Sequence, residues 1–124
     1  SLKEATYHLE RSAGTVIALG DGTEESNARM QSGLDYLWPY VGEMFIDDQI
    51  DHAMNDAKIA PLPSTLRKNW NITVQRTMNH AFLTIPEDVF AHAGGRNGVR
   101  HTEHLGHMLA VMQTLQRSYP GATW

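Results

Sequence analysis

Apolar residues return at helical spacing in one segment of this chain after another, and nowhere does a clean period-two alternation persist. That pattern restricts the fold to packed helices. The first segment places Leu2, Leu9, Ala13, Val16 and Ile17 on one face, up to Leu19. Ser1 and Glu4 have the spacing of a capping box at its start. Gly20-Asp21-Gly22 supplies residues that tolerate positive φ at its end. Thr23 or Ser26 caps the next helix, with Glu24 and Glu25 near its positive end. Its stripe runs through Met30, Leu34, Leu37, Trp38, Val41, Met44 and Phe45. Pro39 lies inside that stripe. An interior proline removes a hydrogen bond and kinks a helix, so the spacing predicts a bend there and no break.

Two long helices joined by a short turn make an αα-hairpin over residues 1–45. Residues 46–124 form a C-terminal helical extension. It opens with a short acidic helix, from about Asp47 to Ala57, closed off by Pro61 and Pro63. Ser64 or Thr65 caps the following helix, with Leu66, Trp70, Val74, Met78, Ala81 and Phe82 on its inner face. Pro86 and the run Gly94-Gly95-Arg96-Asn97-Gly98 mark a loop. The last helix starts near Thr102, carries Leu105, Met108, Leu109, Met112 and Leu115, and closes at Tyr119-Pro120-Gly121 ahead of Trp124. The whole chain reads as a single domain or half-domain. Its long helices have wide apolar faces and few elements to cover them. Such a chain either self-associates or completes a larger bundle.

Composition removes several functions. With no cysteine there is no disulfide framework, thiol catalyst or thiolate metal site. Hydrophobic residues make up 41% and charged residues 19%, which excludes wholesale disorder. A net charge of −4 disfavours nucleic acid and anionic membrane as partners. No apolar run reaches bilayer length, and Ser1-Leu2-Lys3-Glu4 lacks signal-peptide character, so a cytoplasmic location is expected.

The histidines are where metal chemistry would be sought. His101, Glu103, His104 and His107 cluster at the start of the last helix, and the Glu103/His107 and His104/His107 spacings each allow a shared face. Glu4 and His8 form another such pair. Imidazole and carboxylate suit zinc or iron, so a metal-dependent enzyme would use Glu4, His8, Glu103, His104 and His107. The plainer reading is a carboxylate favouring a helix N-terminus and histidines hydrogen-bonding across a packing surface. Di-iron carboxylate bundles need Glu-x-x-His on two of their helices. The residues three beyond the glutamates at 4, 10, 24, 25, 43, 87 and 103 are Tyr7, Ala13, Asn27, Ala28, Ile46, Phe90 and Gly106. None is histidine. Neither Gly-x-Ser-x-Gly nor the Lys-Ser/Thr of a P-loop is present. Arg67 with Lys68, and Arg96 with Arg100, are small basic spots. Their usual reading is a solvated face; their functional one is contact with a partner's carboxylates or a ligand's phosphates. They are the candidate interface residues. A general helical interaction module is a further possibility.

Wording along the chain narrows this. Lys3-Glu4-Ala5-Thr6-Tyr7-His8-Leu9, Leu37-Trp38, Glu43-Met44-Phe45, His101-Thr102-Glu103-His104-Leu105-Gly106, Leu109-Ala110, Met112-Gln113, Leu115-Gln116-Arg117 and Pro120-Gly121 resemble the PaaC family of phenylacetic acid degradation proteins. Thr65-Leu66-Arg67 with Trp70 also fits. These are the ferritin-like, non-catalytic subunits of the multicomponent ring-1,2-phenylacetyl-CoA epoxidase. The resemblance runs nearly end to end and covers the C-terminal half of the longer family proteins. It implies an all-α fold, the C-terminal half of a ferritin-like helical bundle. It implies no cofactor in this chain. The implied partners are the catalytic di-iron subunit of the same epoxidase, with self-association or pairing with the missing N-terminal half. Pro39 and His107 depart from the family pattern, and no family role is carried onto either.

Overall fold

The computed structural model describes every residue except Asp88, Asn97, Val99 and Trp124. Asn97 of the glycine-rich run and the terminal Trp124 therefore lie outside the described residues. The elements are α1 (Leu2–Gly20), α2 (Glu24–Leu37), α3 (Gln49–Asp56), α4 (Pro63–His80) and α5 (His104–Ser118), with 3₁₀ turns at Trp38–Tyr40 and Gly42–Phe45. The all-α class expected from periodicity is the class observed; no strand occurs among the described residues. The chain divides into two units, Ser1–His92 and Ala93–Trp124.

In the first unit, α1 and α2 fold back on each other and α4 packs on α1. The start of α1 departs from expectation. Ser1 is the N-cap residue but its side chain makes no capping bond. The end of α1 also stops for a different reason. Asp21 has φ −88°, and Gly22 does not adopt positive φ. The glycines provide room instead. A Cβ on Gly20 would lie 2.3 Å from the carbonyl oxygen of Ala81 and 2.7 Å from its Cβ. A Cβ on Gly22 would lie 2.8 Å from Ser26 Oγ. That hydroxyl is needed: Thr23 N–H donates to it at 2.9 Å while Ser26 N–H donates to Thr23 Oγ1 at 3.2 Å. Both expected capping residues thus act together, as the two halves of one capping box.

At Pro39 the chain changes helix type. Proline has no N–H to give to the carbonyl four residues back, and its ring crowds that carbonyl. The α-helix ends at Leu37 and the backbone tightens into 3₁₀ turns, with Val41 N–H donating to Trp38 oxygen at 3.0 Å. The second arm of the 1–45 hairpin is therefore α-helical only to Leu37, and Met44 and Phe45 ride on a 3₁₀ turn.

Pro63, expected to end a region, opens α4 instead. At the first helical position its missing N–H costs nothing. Neither Ser64 nor Thr65 is the cap. Asp47, from before α3, takes that part: its carboxylate accepts Ser64 N–H at 2.9 Å and the Ser64 hydroxyl at 2.5 Å. The helix then ends in a Schellman arrangement. Phe82 N–H donates to Asn79 oxygen at 3.3 Å, and Leu83 N–H donates to Met78 oxygen at 3.0 Å. The arrangement needs a left-handed residue, and Phe82 fills it at φ 53°. Phe82 is consequently turned outward and 71% exposed, not on the inner face with Met78. The same motif closes α3, with Lys58 at φ 59°.

Among the described residues the buried hydrophobics are Ala81 and Leu83. They sit where α1, α2 and α4 meet. Asn27 Nδ2 donates to Gly20 oxygen at 2.8 Å and lies 3.4 and 3.3 Å from the oxygens of Ala81 and Phe82. Gln31 pairs with the Thr84 backbone in both directions, at 2.8 and 2.9 Å. Elsewhere apolar side chains stay open to solvent, Leu9 at 54% among them. In the second unit, Arg100 N–H closes onto Gly94 oxygen at 2.6 Å, and α5 begins two residues beyond Thr102. Its stripe is also uncovered; Met112 is 64% exposed.

Three substitutions test these assignments by urea unfolding. Gly20→Ala should destabilise by about 1–3 kcal/mol, because the added methyl meets backbone. Gly33→Ala, with nothing within 4 Å of its Cβ, should stabilise by about 1 kcal/mol through helix propensity. Lys58→Gly should gain about 1 kcal/mol by relieving a left-handed non-glycine residue.

Candidate functional site

Helix α4 carries Arg67 and Lys68 one turn after its Asp47 cap, both on the exposed surface. The capping bonds have an electrostatic consequence. The Ser64 hydroxyl and then the Ser64 N–H hold the Asp47 carboxyl below its ordinary value, with a smaller contribution from His52. Because the cap aligns the start of α4, it also sets where the side chains further along that helix project.

Arg67 does not stand in open solvent alone. Its guanidinium carbon lies 5.8 Å from the centroid of the Phe45 ring. Phe45 in turn meets Trp70 edge to face at 5.2 Å, and Trp70 lies 6.0 Å from Trp38. These rings line a recess of about 230 Å³, with Arg67 and Asn71 also on its wall. Close by, Tyr40 and His92 stack at 4.4 Å and 5°, while Phe90 meets His92 edge to face at 5.3 Å. The His92 N–H donates to Pro39 oxygen at 2.9 Å, which fixes this strap to the 3₁₀ segment. Periodicity places Trp38, Phe45 and Trp70 on apolar stripes. It gives no sign that the three rings converge beside an arginine, because the packing of the Gly42–Phe45 turn against α4 joins residues remote in sequence. The Arg67/Trp70 spacing on one helix face is the legible part of that signal.

The remaining candidates are placed as follows. Arg96 and Arg100 lie in the second unit, exposed, on the loop before α5. Glu4 and His8 pair with each other along α1, Oε2 to Nε2 at 3.8 Å, with both side chains more than two-thirds exposed. Tyr7 also packs its ring against His8 at 5.6 Å. Glu103 is the N-cap residue of α5 without a side-chain capping bond, and His104 and His107 are exposed on that helix. Among the described residues no three His, Cys, Asp or Glu side chains gather into a group that could hold a metal ion. Of these donors, the structure brings Glu4 and His8 together. Nor is any helix among the described residues long and apolar enough to cross a membrane. What the arrangement offers chemically is recognition: an aromatic recess edged by a cation, and apolar helix faces left open.

Comparison with known proteins gives two matches. Residues 1–124 match the family model described as phenylacetic acid catabolic protein. The chain is 44% identical over 124 residues to a subunit of the 1,2-phenylacetyl-CoA epoxidase of Escherichia coli strain K12. That alignment takes in all of this chain and 50% of that protein, so the chain spans about half the length of its curated relative.

The Asp47 cap predicts a pH dependence. Its folded-state carboxyl is depressed, so its contribution to stability is complete above the unfolded-state value and is lost as pH falls through the lower folded value. Asp47→Asn should flatten the acid limb of a stability–pH curve followed by urea unfolding, and should leave the curve's shape near neutrality unchanged.

Proposed function

This chain belongs to the phenylacetic acid catabolic protein family, and from that membership we propose that it serves as a non-catalytic structural subunit of a multicomponent phenylacetyl-CoA epoxidase. In this role it supports the di-iron catalytic subunit during aerobic phenylacetate degradation in the cytoplasm. The observation that carries the reading is the pairing of a whole-length family match with the lack of any Glu-x-x-His. A di-iron bundle builds its centre from that motif, and no glutamate of this chain is followed by histidine at the required distance. The exposed positions of Glu4, His8, Glu103, His104 and His107 agree with residues that serve the surface rather than a metal. The reaction's iron and oxygen chemistry then belongs to the partner.

A structural subunit must offer surface, and the apolar faces of α1 and α5 are open. Faces of this kind are covered in obligate assemblies by interfaces that resemble a domain core cut in half. The remaining half of the longer protein, a second copy and the catalytic subunit are the partners such faces serve. Arg67 and Lys68 in the first unit, and separately Arg96 and Arg100 in the second, are the cations we assign to contacts with partner carboxylates.

Reconstitution tests the reading. Adding the full-length protein to the purified catalytic subunit should raise phenylacetyl-CoA turnover, and elemental analysis should find iron in the catalytic subunit alone. Stoichiometric iron or zinc in this protein, lost in His104→Ala, would replace the structural reading with a metal-dependent one.

A further inference from the structure

We propose that the recess between Trp38, Phe45 and Trp70 is an anchor site for one apolar side chain of a partner polypeptide, with a carboxylate next to that side chain closing on Arg67. Size selects the class of occupant. The recess holds about 230 Å³, short of the roughly 300–1,000 Å³ of small-molecule and cofactor sites. One aromatic or branched side chain is the occupant that fits. The wall selects its character. Two indoles and a phenyl ring line it in tilted and edge-to-face contact, and tryptophan and arginine are residue types enriched in binding hot spots.

Charge selects the neighbour. The Arg67 guanidinium carbon rests 5.8 Å from the centroid of the Phe45 ring, and a guanidinium is the side chain that binds a carboxylate bidentately. No ion pair to Arg67 occurs among the described residues. Asn71, one turn further along α4, adds an amide to the same wall. The occupant is therefore an apolar residue flanked by Asp or Glu on another chain. The inference rests on the subunit reading only in requiring a polypeptide partner; it holds for any reaction that partner performs.

The test uses the full chain with its indoles labelled for NMR, and two blocked dipeptides as probes, acetyl-Phe-Glu-amide and acetyl-Phe-Gln-amide. The expected result is that the Glu probe shifts the Trp38 and Trp70 indole signals and binds about tenfold more tightly than the Gln probe, as for a charge-assisted bond. Arg67→Gln should abolish the preference while leaving the unliganded indole signals in place, and Arg67→Lys should restore part of it. Equal affinity for the two probes, a preference that survives Arg67→Gln, or absence of indole shifts would each overturn the proposal. Turnover in the reconstituted epoxidase does not enter this readout, so failure here is separable from failure of the subunit reading.

Discussion

The first unit depends on the close approach of two helix ends. The backbone of Gly20 comes so near Ala81 that a single added carbon would overlap its carbonyl oxygen. That contact brings the end of α1 against the end of α4. Asn27 of α2 then reaches the carbonyls on both sides. Among the described residues, those that are buried, Gly20, Ala81 and Leu83, gather there. Ala81 and Leu83 are shielded because glycine lets backbone meet backbone and because α2's amides satisfy the carbonyls that the approach strands from water. The junction is small, which is why the unit relies on hydrogen-bonded caps as much as on apolar packing.

Those caps form a chain of cause. Asp47 fixes the start of α4, and α4 presents Arg67 and Trp70 at positions three apart on one face. The Pro39-directed 3₁₀ turns bring Trp38 and Phe45 to the same place. The recess is thus assembled from residues whose local conformations are each set by a different backbone constraint. At the other end of α4 the Schellman motif places Phe82 in a left-handed conformation and turns its ring outward. A bulky aromatic is a costly choice for that position. Exposed apolar faces, an outward phenyl ring and an aromatic recess with a cation at its edge are thus features of the same chain.

Much of this is legible in the residues alone, for reasons that are local. Helix identity follows from apolar spacing, and the predicted helices are present except that the second gives way to 3₁₀ turns beyond Leu37. The Thr23/Ser26 capping pair is legible because a capping box is a short-range code. The lack of a di-iron motif is legible because ligand spacing along a helix is fixed by its pitch. Local reading fails where the partner of a group is distant in sequence. Ser64 is the right residue type at the right place for a cap, yet the cap is Asp47, seventeen residues earlier. Gly20 and Gly22 have the composition of left-handed turn formers, yet their role is clearance from Ala81 and Ser26. Pro63 has the character of a terminator, but the same missing N–H also makes proline a good opening residue.

The sequence by itself determined the helical class, the kinship with epoxidase subunits and the lack of paired iron-binding motifs, since periodicity and ligand spacing are properties of a few consecutive residues. Only the tertiary structure decided which glycine must stay small, which carboxylate caps α4, which way Phe82 faces and that three rings meet beside Arg67. Each of these depends on a backbone or side chain brought near from a remote part of the chain, and no local pattern encodes that distance.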